Sequence, residues 1–413
     1  MKMRFRKLLL SLAIGCVSLI SIQQPAVAAT PGTTIMLDGY PLPFPTPPAN
    51  VNGTTMVPFR AISEAMGIQV NWDAQTQSIT AVQSTAQGDK TVKMQVNNPL
   101  VTVNGKTVTL PVAPYVNNGS TLIPLRFFSE QFGAQVGWDP NTRTVSIVSP
   151  LRDMYGLAFY AISSFSQREL MPFFDSVAFG WSRIDQDGNL TLTGNDFYWP
   201  KPAGETTPES IIADVKLAGS SPYLMVFAGD GNGELTKLLE DASLREKAIA
   251  QMLTLAQEKG MTGIALDFEG LGMNGDVTGV KEKYNEFVRL LSAETRQRGI
   301  QLTLILHPLN GAYKGYDYAA LGQLADDLVI MAYAYEGEKG PEPMNRVDEA
   351  IRMALVHVPK EKLILGISMG SENESSVNQK IGLAKRYNLK GYAIWRLGLI
   401  NQASMEQIKQ SVH

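Results

Sequence analysis

Asp267 and Glu269 stand two residues apart at the close of an apolar run, Gly263-Ile264-Ala265-Leu266-Asp267-Phe268-Glu269-Gly270. In an extended strand the side chains at i and i+2 share a face, roughly 6.6 Å apart along the chain. Both carboxylates therefore line one side, with Leu266 and Phe268 turned to the opposite layer. Charged groups are seldom buried without a partner, and two on one face of an apolar strand mark a site for acid–base chemistry. Adjacent like charges push one pKa up, so one group can hold a proton while the other is ionised. If the strand belongs to a β/α barrel, its C-terminal end is where such barrels carry reacting groups.

The elements needed to position the pair recur through the second part of the chain. Apolar strand candidates span 154–162, 176–184, 223–228, 263–268, 301–307, 328–335, 363–369 and 391–397. Amphipathic helical stretches at 243–259, 281–298, 346–357 and 375–387 lie between them. Near-continuous hydrophobic strands alternating with helices imply a parallel sheet covered by helices. Eight such units after Pro150 predict an α/β fold, a (β/α)8 TIM barrel over 151–413. A doubly wound open sheet is the alternative, but no G-x-G-x-x-G follows the first strand.

The first 150 residues read differently. Lys2, Arg4, Arg6 and Lys7 precede an apolar run over 8–22, and Ala26-Val27-Ala28 offers a small-x-small cleavage site. This predicts a secretory signal peptide over 1–28, with an uncleaved anchor as the alternative. Cys16, the sole cysteine, lies inside the run. Gly15 before it allows a lipid-attachment reading, against which Ala13 stands where leucine is usual. A chain cleaved after Ala28 has no cysteine, hence no disulfide and no thiol chemistry, and no later run approaches the roughly 20 apolar residues of a membrane span. The expected location is secreted or extracytoplasmic, associated with the cell wall. A net charge of −3, with no basic run beyond the first seven residues, excludes a nucleic-acid footprint.

Two segments then match at an offset of 66 residues. Gly53-Thr54-Thr55-Met56-Val57-Pro58-Phe59-Arg60 parallels Gly119-Ser120-Thr121-Leu122-Ile123-Pro124-Leu125-Arg126, and Ser63-Glu64, Gly67 and Trp72-Asp73 find counterparts in Ser129-Glu130, Gly133 and Trp138-Asp139. Each unit predicts a short strand, a Pro-started helix, a strand ending in Trp-Asp, a turn and another strand. Between the units a meander is expected at 91–96, 100–103 and 106–110, with Asn104-Gly105 as a type I′ turn. The whole is a smaller α+β repeat domain. Trp72 and Trp138 read first as core residues of each repeat, with carbohydrate stacking as the other reading. Arg60 and Arg126 are expected to pair with acidic neighbours in their own repeats.

Over about 33–148 this pattern resembles the copper amine oxidase N-terminal-like (stalk) domain of exported Gram-positive proteins. The resemblance implies a wall-facing spacer or adhesive module. No copper is implied, because the segment contains neither His nor Cys. The barrel segment resembles glycoside hydrolase family 18. Residues 263–270 resemble its fourth-strand motif D-x-x-D-x-D-x-E, Met331-Ala332-Tyr333 resembles its M-x-Y-D, and Gly391-Tyr392-Ala393-Ile394-Trp395 resembles its closing strand. The turn Asp185-Gln186-Asp187-Gly188-Asn189-Leu190 looks like the branch containing spore-germination and cortex-lytic glucosaminidases. Thr262, Ala265 and Ala334 stand where that family has acids.

The resemblance implies an exported glycosidase of N-acetylglucosaminidase or chitinase type, cleaving β-1,4-linked N-acetylglucosamine glycans by a substrate-assisted retaining mechanism. Peptidoglycan or spore cortex is favoured over chitin, and the partners are that polysaccharide and the cell wall. Glu269 is implied as proton donor, Asp267 as the group facing the acetamido N–H, Tyr333 as the donor to the acetamido oxygen, and Trp395 as the sugar-site floor. Read from position alone, Tyr335 and Glu336 at the end of the sixth strand, Asp230 after the third, and Trp181 are further candidates for substrate binding. His307, closing the fifth strand, could also face the site. No cofactor is expected, and no His clusters with the acids to hold a metal. The rival readings are a lapsed, chitolectin-like barrel that binds glycan without cleaving it, and a structural cell-envelope or germination protein.

Overall fold

A computed structural model describes residues 32–85, 88–273, 275–335 and 340–413. The expected leader over 1–28, with Cys16, lies outside the described residues, as does Glu336. Eight parallel strands close into a barrel: β1 (Tyr155–Ala161), β2 (Ser176–Ile184), β3 (Ser221–Ala228), β4 (Gly263–Phe268), β5 (Gln301–Leu306), β6 (Asp327–Ile330), β7 (Leu363–Ser368) and β8 (Gly391–Trp395). Each pairs with the next, and β8 returns to β1 through Gly391↔Tyr155. Both faces of the strands are buried, which is why they read as unbroken apolar runs. Phe159, Met225, Ala265, Ile305 and Val329 fill the barrel, while Ile264, Leu266 and Phe268 pack outward under the helices.

The longest helix, Val277–Arg298, follows β4. Asp276 starts it by accepting from the Gly279 amide, and Gly299 ends it in the left-handed region at φ 65°. Among the described residues no helix is long and apolar enough to cross a membrane.

One expected strand is shorter than its pattern. Strand β6 stops at Ile330, not at 335. Beyond it the amides of Ala332 and Tyr333 bond back two residues, to Ile330 (2.9 Å) and Met331 (2.8 Å), and Ala334 takes φ 55°. Successive tight turns of this kind end sheet pairing.

Residues 34–148 hold their own core around Ile62, Ile79, Val92, Ile123 and Phe128. The two repeats meet where Thr54–Pro58 pairs antiparallel with Ser120–Pro124, Val57 opposite Ile123. Each repeat has its helix (Phe59–Ala65, Leu125–Gln131) and its Trp-Asp strand (Gln69–Asp73, Gln135–Asp139). Asn104 and Gly105 take φ 47° and 80° in the expected type I′ turn. The core reading is corrected for Trp138, which is 46% exposed; Trp72 is half-buried and packs against the core beside Phe59 at 6.2 Å.

Residues 33–413 form one unit, joined across a polar seam. Helix Glu374–Arg386 of the barrel carries Arg386, whose guanidinium donates to the carbonyls of Tyr40 (3.1 Å) and Pro41 (3.0 Å) and lies 5.3 Å over the Tyr40 ring. Asp38 enters the same seam and accepts from the Ser149 amide and hydroxyl at 2.8 and 2.7 Å. A Cβ on Gly382 would sit 2.4 Å from the Asp38 Cβ, so the helix needs a glycine there. Gly382→Ala is expected to lower stability by about 1–3 kcal/mol, the usual cost of overpacking. The measurement is the urea midpoint; an unchanged midpoint would mean the seam opens freely in solution.

Candidate active site

Strand β4 ends with its inward positions occupied by Ala265 and then Asp267, followed just past the strand by Glu269. Asp267 is 3% exposed. Its Oδ1 is buried without a hydrogen-bond partner among the described residues. Burial, then the charge of Glu269 and a shared hydrogen bond, hold its carboxyl well above the ordinary carboxylate range. Glu269 keeps 35% of its side chain exposed and is also raised, by burial, with the Asp267 hydrogen bond opposing. The two titrate as one pair that retains a proton beyond the range of free carboxyls. One member faces the mouth and can exchange that proton; the other cannot.

Tyr333 stands over this pair. Its hydroxyl pKa is raised by burial and next by the charges of Asp267 and Glu269, so the phenol sits in their field. Its ring occupies a slot left by Gly366 on β7, where a Cβ would lie 3.0 Å from the Tyr333 Cε1. Trp395 closes β8 at the barrel interior, edge-on to Phe159 at 5.3 Å, and the peptide bond after it is cis. The structure thus brings Asp267, Glu269, Tyr333 and Trp395 to one end of the barrel.

Trp181 is not brought there, whereas Asp230 packs against Gly270, the residue after Glu269, with its Cβ 3.6 Å from where a Cβ on that glycine would sit. Trp181 follows Val177 and Phe179 on the outward face of β2 and is buried under the helices against Tyr160 and Trp199. The inward face of that strand is Ala178 and Gly180, small because the barrel narrows there. Tyr335 is buried, its hydroxyl donating to Asn310 Oδ1 at 3.0 Å under the Arg346 guanidinium. Asp230 uses both carboxylate oxygens to hold Thr236, accepting from its amide and hydroxyl at 2.8 Å each. The polar atoms of Tyr335 and Asp230 are thus taken up by protein partners, which spacing along the chain could not show.

His307 does reach the site. Its Nε2 lies 3.8 Å from Glu269 Oε2, and its ring lies tilted against that of Tyr313, centroids 4.3 Å apart. Burial lowers its pKa to about 4, so a neutral imidazole faces the acid.

Three supports were not anticipated. The Tyr316 hydroxyl donates to the Phe268 carbonyl (2.8 Å) and accepts from the Leu271 amide (3.4 Å), pinning the backbone on either side of Glu269. Phe197, from the long loop after β2, enters the interior and stacks on Phe227 at 4.2 Å and 14°. A buried chain of charges supports the loop after β6: Lys380 Nζ reaches Glu372 at 2.7 Å, Glu372 accepts from the Glu342 amide at 3.1 Å, and Glu342 accepts from the Ala334 amide at 3.0 Å. Only the last had a readable signal: Lys380 sits on the apolar stripe of Val377, Ile381 and Ala384. Of the three positions lacking acids, Thr262 is exposed at the far end of β4, Ala265 is fully buried beneath Asp267, and the Ala334 amide is held by Glu342.

Residues 164–371 match the model described as Glycosyl hydrolases family 18, and 36–147 match the Copper amine oxidase N-terminal domain. The chain is 26% identical over 251 residues to the cortical fragment-lytic enzyme of Bacillus anthracis, covering 54% of each chain, and equally to that of Bacillus cereus. It therefore spans about half the length of the curated relatives it matches. Among solved structures, the Bacillus cereus spore cortex-lytic enzyme SleL superposes with TM-score 0.52 at 20% identity, over 64% of this chain and 76% of that one. A chitinase from Chromobacterium violaceum gives 0.53 at 22% identity, over 62% and 98%. At these identities the superpositions establish the barrel fold alone.

Because the Asp267 pKa is raised in the folded state, the stability it supports is present below the unfolded value near pH 4 and is lost as pH rises through the folded value. Asp267→Asn should therefore stabilise the chain at pH 7 by about 0.5–2 kcal/mol. The gain should vanish below about pH 4, where both carboxyl forms are neutral. Urea midpoints at the two pH values check this; a lower midpoint for the variant at pH 7 would show that the carboxylate is well solvated.

Proposed function

This chain belongs to glycosyl hydrolases family 18, and from that premise we propose that its barrel cleaves β-1,4-linked N-acetylglucosamine glycans of peptidoglycan, spore cortex foremost. The observation that carries the reading is the buried, proton-sharing Asp267–Glu269 pair with an open acceptor at Asp267 Oδ1. Two carboxyls on one strand lie beside each other, not across a sugar ring as an acid–nucleophile pair must. A nucleophile supplied by the substrate resolves this: its 2-acetamido oxygen attacks the anomeric carbon with retention. Glu269, half-exposed and holding a proton, protonates the leaving oxygen and later takes a proton from water. Asp267 accepts from the acetamido N–H and balances the oxazolinium charge. Tyr333 donates to the acetamido oxygen, and Trp395 forms the floor under the sugar. Tyr316 acts as a positioning residue by fixing the backbone around Glu269.

The names of the Bacillus relatives, cortical fragment-lytic enzymes, support cortex fragments as substrate. The proposed layout is a leader over 1–28, a stalk over 33–148 and a barrel over 151–413, in a secreted, wall-associated protein. A second reading, a glycan-binding barrel without turnover, is favoured by the apolar Ala265 beneath Asp267.

Purified residues 29–413 and their Glu269→Gln variant, incubated with cortex peptidoglycan and chitin oligomers, separate these readings by mass spectrometry of new reducing ends. We expect fragments ending in reducing N-acetylglucosamine, reduced about 10²–10⁴-fold in the variant. Their absence from both proteins, with binding retained, would favour the lapsed barrel. Equal cleavage of N-acetylated and deacetylated oligomers would sink substrate assistance. Tyr316→Phe should lower kcat about tenfold with KM nearly unchanged, through loss of both hydroxyl hydrogen bonds that position the backbone around Glu269; a KM effect alone would place it in substrate binding.

A further inference from the structure

The internal repeat of the stalk is also a repeat of cavities. One, of about 540 Å³, is lined by Arg60, Glu64 and Trp72 of the first repeat together with the Gly119-Ser120-Thr121 turn of the second. The other, of about 520 Å³, is lined by Arg126, Glu130 and Trp138 of the second repeat together with Gly53-Thr54-Thr55 of the first. Every one of these residues corresponds to its counterpart at the same offset of 66. The exchange of turns follows from the antiparallel pairing of Thr54–Pro58 with Ser120–Pro124, which carries each hairpin turn to the helix of the other repeat. Both volumes fall in the range of ~300–1,000 Å³ typical of ligand sites.

Most residues shared by the repeats serve the fold. Ser63 bonds the Phe59 carbonyl at 2.6 Å, Gly67 and Gly133 take positive φ, and Asp73 and Asp139 accept from turn amides. The tryptophan, arginine and glutamate are less committed: Trp72 packs one side on the core beside Phe59, with Arg60 over the same ring, while Trp138 lies outside the core. Trp138 is nearly half exposed, Arg60 and Glu64 are exposed, and Arg126 meets Glu130 in an exposed ion pair at 3.3 Å. Exposed ion pairs of this type contribute little stability. An indole recurs in the lining of both hollows, half-buried as Trp72 and exposed as Trp138, and accessible aromatic surface of this kind marks a contact surface.

We propose that these two hollows are glycan-binding sites that hold the polysaccharide backbone of peptidoglycan. Each offers an indole face, one guanidinium, one carboxylate and neighbouring hydroxyls, with no net charge. That set suits an uncharged pyranose chain, whose flat C–H face covers the indole while its hydroxyl and amide groups pair with the donors and acceptors. An anionic polymer would call for an excess of arginine or lysine. A repeating ligand is also the class that can occupy two equivalent sites on one domain, adding avidity without new contacts. The pyranose class rests on the hollows themselves; the choice of peptidoglycan rests on the reading proposed for the barrel.

The test is co-sedimentation of residues 29–413, carrying Glu269→Gln to keep the polymer intact, with purified peptidoglycan sacculi. Adding Trp72→Ala and Trp138→Ala together should raise the apparent Kd about tenfold or more, as expected for removing aromatic contacts. Trp138→Phe alone should bind close to the parent, because the ring is kept. Unchanged sedimentation of the double variant, with an unchanged thermal midpoint, would overturn the proposal. So would a loss of binding that tracks a change in the protein's own mass by analytical ultracentrifugation, which would make the hollows a self-association surface. Because sedimentation reads binding alone, a barrel that proved inactive would leave the outcome interpretable.

Discussion

Two carboxyl groups side by side in an apolar interior cannot both ionise cheaply, and the surroundings of β4 are organised by that constraint. Asp267 is the last inward residue of the strand and is sealed; Glu269 is the next on the same face and lies half in the mouth. The same burial raises both pKa values, but only Glu269 can exchange its proton with water or a ligand. An asymmetric pair of this kind separates an acid from a fixed charge without requiring different side chains, since environment alone assigns the roles. His307, held neutral by its own burial, adds no charge that would draw the proton away.

The pair is held from a distance. Tyr316 grips the backbone on both sides of Glu269 from the loop after β5. The Lys380–Glu372 contact, almost wholly buried, supports Glu342, and Glu342 in turn fixes the Ala334 amide beside Tyr333. Buried ion pairs stabilise little on balance, yet breaking one leaves an unpaired charge in the core. Their value here is geometric. Strand β6 ends short of Tyr333, and the network fixes the Ala334 amide next to it.

The stalk is fastened to the barrel rather than tethered. Arg386 satisfies carbonyls of the turn at 37–41, and Asp38 binds Ser149, beside the Pro150 after which the barrel pattern begins. On the reading proposed here, a polymer bound by the stalk would remain at high effective concentration near the barrel mouth. The repeat supplies the two hollows through one pairing, Val57 opposite Ile123, that exchanges turns between halves.

Much of this was open to reading from the chain. Eight apolar runs declared the barrel, because strands buried on both faces leave no polar alternation to hide them. The i, i+2 spacing of Asp267 and Glu269 determined their shared face by strand geometry alone, and the repeat offset determined the two-fold plan of the stalk. The rest depended on distance in space. Whether Trp181 faced the barrel or the helices turned on which side Ala178 and Gly180 had to fill, and Phe197 became an interior residue only because a loop folded back over β2. Tyr316, Glu342 and Lys380 act on residues up to 48 positions away through contacts that no local period encodes. Local sequence determines which face a side chain takes on its own strand or helix; only tertiary packing decides what that face meets, because burial, and with it every pKa at the site, is a property of the neighbours.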